Sequence, residues 1–282
     1  MKTEGGPERV AILGVGLIGG SLGLALKRAL PQARIRGIGR DRRRLEIARG
    51  MGAIDDCVTR LEEGLGDRDL VVLATPVDHI LETLEIIGAF LAPGTLVTDV
   101  GSTKRAICRK AWDCLPAGIE FIGGHPVAGR EVAGVEHTLA DLFEGAPYIL
   151  CPRPGAGSAG LRRLTGLVEG IGARARVMAP DDHDLMMAWL SHLPQLISTV
   201  LANAVSDKDM DISGSGLRDM LRLAGSPYPV WRSILDTNSD MICQSLDGFI
   251  RALERLREKL PVESLEDEFE TALRIHNRLK AR

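Results

Sequence analysis

The run Gly14-Val15-Gly16-Leu17-Ile18-Gly19 is where the types and spacing of residues point most directly to chemistry. It follows the apolar stretch Val10–Leu13 and opens a helical pattern. A G-x-G-x-x-G in that context, with a second strand about 20 residues on, is the signature of a dinucleotide site. Gly14 permits a tight turn, Gly16 lets main chain approach a pyrophosphate, and Gly19 lets helix and strand pack closely. The helix N-terminus, starting with Leu17 and Ile18, offers free N–H groups to the phosphates. A ligand-free glycine turn is the bland alternative, and both context and spacing speak against it. At the end of the second strand an NAD site usually carries Asp or Glu for the ribose 2′-hydroxyl. Here that position is Gly39, followed by Arg40-Asp41-Arg42-Arg43-Arg44. A guanidinium grips a 2′-phosphate that a carboxylate would repel, so NADP is the expected cofactor and NAD the alternative. A solvated basic turn would read the same way, and Asp41 would serve as the ribose acid if the strand ran farther.

Further polar segments are expected beside this cofactor, because ligands of open α/β sheets sit outside the carboxyl ends of the strands. Asp99–Lys104, with Ser102, follows the fourth main strand. The segment from Gly123 to Glu131, with His125 and Arg130, follows the fifth. Ser191–Gln195, with His192, lies in the second half of the chain, and Asp219 and Arg222 lie beyond it. Taken singly, each residue has an ordinary reading. A His before Pro caps a loop, a helical Arg pairs on the surface, Ser102 N-caps a helix starting near Thr103, and His183 merely starts a helix. His125, His183 and His192 lack ligand-pair spacing, so no metal site is expected.

The elements that must hold these residues follow from periodicity. Strands are predicted at Arg9–Leu13, Arg34–Ile38, Leu70–Ala74, Leu96–Asp99, Glu120–Gly123, Pro147–Leu150 and Ala175–Met178. Helical patterns such as Ser21–Leu30, Arg43–Met51 and Asp78–Phe90 lie between them. Such alternation implies βαβ units and a mainly parallel sheet. From about Asp181 the strand pattern stops. Helices are predicted at Asp182–Ala204, Gly214–Leu223, Val230–Glu258 and Leu265–Ala281, with Pro180 and Ser226–Pro229 as breakers. Val200, Leu201 and Ala204 have the spacing of a buried stripe. The reading is an α/β Rossmann-type dinucleotide-binding domain over residues 1–179, then an all-helical substrate and dimerisation domain over 180–282. The apolar helical faces suggest a homodimer.

Composition narrows the class. A 282-residue chain with 45% hydrophobic and 26% charged residues can build a real core. A net charge of −3 disfavours nucleic acid or an anionic membrane as the main partner. No run reaches the roughly 18 continuous apolar residues of a membrane span. Met1–Glu8 does not read as a signal peptide. Five dispersed cysteines without a C-x-x-C pair suggest reduced thiols, so a cytoplasmic enzyme acting on a small molecule is expected.

At this point the chain resembles the prephenate/arogenate dehydrogenases. The matching segments are GVGLIGGSLG from residue 14, ATPV at 74–77, DVGSTK at 99–104, GGHPVAGRE at 123–131, LFEGAPYILCP at 142–152, DDHD at 181–184, SHLPQ at 191–195 and LRDMLRLAGSPYPVW at 217–231. They run over nearly the whole chain in order. The resemblance implies oxidative decarboxylation of prephenate, or of its amino counterpart arogenate, on the route to tyrosine. It implies that His125 is the catalytic histidine and that Ser102 bonds the ring hydroxyl and that histidine. It places Arg222 on a substrate carboxylate, Glu131 and Asp219 as acids interacting with that arginine, and His192 in the pocket. Thr75 and Pro76 of ATPV fall to the cofactor.

A neutral histidine suits proton withdrawal near physiological pH, and an arginine suits an anionic substrate. Two positions depart from the common pattern. Gln195 stands where many relatives carry a second histidine, so it can touch substrate but cannot titrate there. Arg130 replaces a frequent threonine and adds charge that would bind substrate or pair with Glu131. No chorismate mutase or ACT segment is recognised, so a monofunctional enzyme is expected. The rivals are a β-hydroxyacid-type NADP dehydrogenase, whose lysine motif has no counterpart around Lys208, and a non-catalytic NADP-sensing module, which would not need His125, Ser102 and Arg222 together.

Overall fold

The computed structural model describes residues 6–129, 132, 134–155, 158–206, 208, 210–260 and 264–280. Eight strands form one sheet: β1 (Arg9–Leu13), β2 (Arg34–Ile38), β3 (Asp56–Val58), β4 (Leu70–Leu73), β5 (Leu96–Asp99), β6 (Glu120–Pro126), β7 (Pro147–Pro152) and β8 (Arg174–Val177). Their spatial order is β3-β2-β1-β4-β5-β6-β7-β8. The first six strands in that order run parallel, β7 turns antiparallel to β6, and β8 runs parallel to β7. The chain leaves β1 toward β2 and returns to β4 on its other side, so a crevice opens at the carboxyl ends of β1 and β4.

The strands read as continuous apolar runs because both faces are covered. Val10 and Ile12 of β1 pack with Leu70 and Val72 of β4 under helices α1 (Leu17–Ala29) and α2 (Arg42–Gly50). Ala11 of β1 packs with Val71 and Leu73 on the opposite face, under α3 (Val77–Ile86) and α4 (Arg105–Cys114). The two-residue period of the strands thus sends alternate side chains into two cores. Helix α5 (Ser158–Gly170) adds Leu164 and Val168 to the first core.

The remaining chain is helical: α6 (Pro180–Met187), a wide π turn at Ala188–His192, α7 (Leu193–Ala204), α8 (Ser215–Leu221), a 3₁₀ turn at Arg222–Gly225, α9 (Tyr228–Lys259) and α10 (Glu266–Lys280). Helix α9 is kinked at Asn238, whose φ of −133° and ψ of 22° are not helical. The stretch Pro180–Ala204 is long and apolar enough to cross a membrane by length and composition alone. It carries buried His183, Asp184, His192 and Gln195, all hydrogen-bonded to protein groups, which is how a core helix behaves.

The structure departs from the sequence expectation in three ways that matter. β3 is a three-residue edge strand too short and polar to show a pattern. β6 continues past Gly123, so His125 lies within the strand, opposite Ile149 of β7, and not in a following loop. Glycines weaken a strand signal, but here they allow close approach: a Cβ on Gly123 would meet Cys108 Sγ at 2.6 Å. Finally, Val200 is 64% exposed, so the stripe on α7 is not buried within one chain.

Candidate active site

The glycine loop has the shape a dinucleotide needs. Gly14 adopts a φ of +92°, and a Cβ there would meet the Ala74 carbonyl oxygen at 2.6 Å. A Cβ on Gly19 would run into the carbonyl oxygen of Gly14, whereas beside Gly16 the space is open. Gly16 is the N-cap of α1 and supplies no side-chain cap, so the first N–H groups of the helix have no capping side chain. Across the crevice, Thr75 Oγ1 is buried with no hydrogen-bond partner among the described residues, and Pro76 caps the start of α3. Open space at one glycine and an orphaned hydroxyl opposite fit a bound dinucleotide.

The second strand ends at Ile38, and Gly39 donates its N–H to Val58 O at 3.3 Å. Asp41 is the N-cap of α2, taking the N–H groups of Arg43 at 2.9 Å and Arg44 at 3.3 Å. The strand therefore does not run on to Asp41, whose carboxylate is engaged in capping α2. Arg42 pairs with Glu46, and Arg44 with Asp41. Exposed Arg40 makes no ion pair among the described residues.

His125 sits at the carboxyl end of β6, held through its neighbour. Gly124 donates its N–H to Asp99 Oδ1 at 3.0 Å and accepts from Lys104 Nζ at 2.8 Å, while Lys104 pairs with Asp99. Lys104 and Asp99 are completely buried. His125 Nδ1 lies 2.8 Å from Nε2 of His183, and His183 Nδ1 lies 2.7 Å from Asp184 Oδ1. The two rings meet edge to face, with centroids 5.0 Å apart. The His125 ring is half-buried, and its partial desolvation, then the adjacent His183 and Lys104, hold its pKa well below 6.5. Burial lowers His183 as well, against the opposing pull of Asp184.

His183 is thus more than the helix-start residue its sequence suggested. Asp184 was not singled out in the sequence either. Its carboxylate takes the N–H groups of Lys104 at 2.7 Å and Arg105 at 2.9 Å, capping α4 from 80 residues away. Ser102 is consequently not the cap. It is half-buried in the loop after β5 and forms no hydrogen bond to His125 among the described residues. An acid directly after a histidine at a helix start was the available signal, but nothing local tells that both are buried.

The helical residues are organised around the π turn. His192 is buried, accepts from Asn238 Nδ2 at 3.2 Å and stands edge-on to Trp231. Burial pushes its pKa down to about 4. Gln195 donates to Leu223 O at 2.9 Å, and Ser198 donates to Met220 O and accepts from Ala224 N. These bonds fasten the segment that carries Arg222 and Asp219, both exposed. Gln195 therefore steadies the residue after Arg222 with its amide nitrogen. Asp181, at the exposed first turn of α6, pairs with Arg109 of α4. Arg130 and Glu131 lie outside the described residues. No cluster suited to a metal occurs among the described residues.

Comparison with known proteins turns this geometry into a family assignment. Residues 22–177 match the model described as prephenate dehydrogenase, nucleotide-binding domain. Residues 179–275 match prephenate dehydrogenase, dimerization domain. The chain belongs to the prephenate dehydrogenase family. Prephenate dehydrogenase of Bacillus subtilis is 33% identical over 269 residues, covering 93% of this chain and 72% of that protein. Among solved structures, a prephenate dehydrogenase of Aquifex aeolicus, in complex with hydroxyphenyl propionate and NAD+, superposes with a TM-score of 0.88 at 29% identity. It covers 98% of both chains. An arogenate dehydrogenase of Synechocystis gives 0.82 at 31% identity, covering 97% of this chain and 99% of that one. As a prephenate dehydrogenase family member the chain is an NAD(P)-dependent oxidoreductase with a nucleotide-binding domain, and the glycine crevice could hold its nicotinamide cofactor.

Proposed function

We propose that this protein converts prephenate to 4-hydroxyphenylpyruvate by oxidative decarboxylation in tyrosine biosynthesis, with NADP as the preferred cofactor. The observation that carries the reading is His125, held neutral by burial at the carboxyl end of β6, on the same edge of the sheet as the glycine loop. Prephenate bears a hydroxyl at ring C4 and a carboxylate at ring C1. The bound nicotinamide supplies a two-electron acceptor. His125 takes the hydroxyl proton, for which a neutral imidazole is suited. The ring carboxylate leaves as carbon dioxide and the ring becomes aromatic. Arg222 holds a carboxylate of the substrate, Asp219, Glu131 and Arg130 are assigned to substrate binding with it, and Ser102 bonds the ring hydroxyl. His192 and Gln195 shape the wall and fix the Arg222 segment.

The NADP preference rests on Gly39 and Arg40, together with the commitment of Asp41 to capping α2. Prephenate is favoured over arogenate because Arg130 adds positive charge to the His125 segment, unfavourable for an ammonium; of the two acids that open α6, Asp181 and Asp182, Asp181 pairs with Arg109. The protein acts as a cytoplasmic homodimer through its helical half, residues 180–282. Exposed apolar side chains there include Leu190, Val200, Ile212 and Phe269, and a second copy would cover them. The test is absorbance at 340 nm with prephenate, arogenate and a panel of hydroxyacids, each with NADP and NAD. The expected ranking is prephenate with NADP first. Turnover confined to a hydroxyacid would overturn the proposal.

A further inference from the structure

The row Asp184–His183–His125, its first two members fully buried, does more than hold three side chains together. Both carboxylate oxygens of Asp184 face N–H donors of the main chain: Oδ1 takes Lys104 N and Oδ2 takes Arg105 N. A hydrogen on either oxygen would point at another donor, so Asp184 acts as an acceptor throughout. Its third partner, His183 Nδ1 at 2.7 Å, must then carry a hydrogen. In a neutral ring the other nitrogen, Nε2, bears a lone pair. That lone pair faces His125 Nδ1 at 2.8 Å, so His125 must carry its own hydrogen there. Only Nε2 of His125 remains free to accept a proton.

We propose that Asp184 and His183 lock His125 into the Nδ1–H tautomer, leaving Nε2 as its proton acceptor, and that His183 is a positioning residue of the reaction. This rests on the reading of His125 as the base. Burial favours neutral forms of both rings, as the argument requires. The other titratable groups close to the pair are Lys104, Asp99 and His192, and the Lys104 charge also opposes protonation of either ring. In water a free histidine prefers the opposite tautomer, with hydrogen on Nε2, which would present a donor where the reaction needs an acceptor. The lock spans the two halves of the chain: His125 comes from β6 and the other two from α6. Asn238 secures it from behind by donating to the Asp184 main-chain oxygen at 2.9 Å.

The lock is read without turnover by long-range proton–nitrogen NMR of the full-length protein carrying ¹⁵N-histidine. The His125 signals are those lost in His125→Asn. In the native protein His125 should show a protonated Nδ1 and a bare Nε2. His183→Phe removes the acceptor, so His125 should shift toward the Nε2–H form. Its kcat should fall about 100-fold or more, within the range carried by general-base catalysis, with KM for prephenate and cofactor within threefold. His183→Gln places an amide oxygen near the lost Nε2; it should keep the Nδ1–H signature and stay within about tenfold of native kcat. A native spectrum with Nε2–H on His125, or an unchanged His125 signature in His183→Phe, overturns the lock. Near-normal kcat in His125→Asn overturns the base reading instead, and the spectrum tells the two failures apart.

Discussion

Lys104→Met probes the clamp beneath His125. The native side chain is fully buried, pairs with Asp99 and donates to the Gly124 carbonyl. Asp99 in turn takes the N–H groups of Gly124 and of Gly101, the latter at 2.8 Å. Both main-chain groups of the residue preceding His125 are therefore fixed by this one ion pair. Methionine has similar length but no ammonium, so it leaves the Asp99 charge without its cation and the Gly124 oxygen without its donor. Removing one partner of a buried pair costs about 3–5 kcal/mol. At about 2–4 °C per kcal/mol for a chain of this size, the midpoint of thermal unfolding should drop by roughly 6–20 °C.

Asp99→Asn added to Lys104→Met removes the uncompensated charge. The double variant should then lose less than the two single losses together, with a coupling of about 1.5 kcal/mol or more. Urea unfolding of the four proteins at one fixed concentration measures it. Turnover offers a second reading. Lys104→Met should lower kcat through a displaced His125 while cofactor KM changes little. Because the Lys104 charge helps hold the His125 pKa down, the acid limb of the rate profile should move to higher pH. A single-variant cost below about 1 kcal/mol, or additive losses in the cycle, would refute the clamp.

Two further outcomes follow from the same site. Arg40→Ala should lower kcat/KM for NADP about 10- to 150-fold more than for NAD, the equivalent of a charge-assisted bond of about 1.5–3 kcal/mol; equal losses would remove Arg40 from phosphate recognition. Burial also sets an acid limit. His125, His183 and His192 all have lowered pKa values, so the folded chain binds fewer protons than the unfolded one below pH 6.5. Their stabilisation is complete above 6.5 and is lost as pH falls toward the folded values. For His192 alone, the fall from 6.5 to about 4 corresponds to roughly 3 kcal/mol at 1.36 kcal/mol per pH unit. Urea midpoints should be steady from pH 8 to 7 and fall clearly by pH 5, and a flat midpoint across that range would contradict the burial of neutral rings.

Much of this was legible from sequence because it is local. The glycine loop, the ends of β1 and β2 and the helical pattern after Pro180 are set by neighbours within a few residues. Asp41 as the cap of α2 was within reach too, since Asp before a helical run favours that role. What escaped was long-range. His125 and His183 are 58 residues apart, and Asp184 caps a helix 80 residues earlier. No periodicity records such a meeting. A hint did exist in the stretch Pro180–Ala204: polar His183, Asp184, His192 and Gln195 interrupt an otherwise apolar run, and buried polar groups must find partners. The continuation of β6 through Gly124 to Pro126 was hidden for another reason. Glycine and proline are weak strand formers, and only the pairing of His125 with Ile149 makes the extension visible.

Helix α4 shows why the two halves of the chain act as one site. Its N-cap is Lys104, which has no acceptor to offer the first N–H groups of the helix. Ser102 comes two residues too early. The acceptor is Asp184, so the start of α4 is satisfied only when α6 is docked against it. The same contact is extended by Thr103 Oγ1 against Thr237 Oγ1 at 2.8 Å and by Arg105 with Asp240, both partners lying on α9. Asn238 stands between them at the kink of α9, buried, with one end of its amide on the Asp184 main chain and on His192. This seam is polar and directional, so it fixes orientation more narrowly than apolar packing alone would. Lys104 begins α4 and also grips Gly124, so any shift of α6 reaches His125 by two routes, through His183 and through Lys104. His125 on the sheet is therefore positioned by the helical half, which also carries Arg222, the proposed substrate anchor.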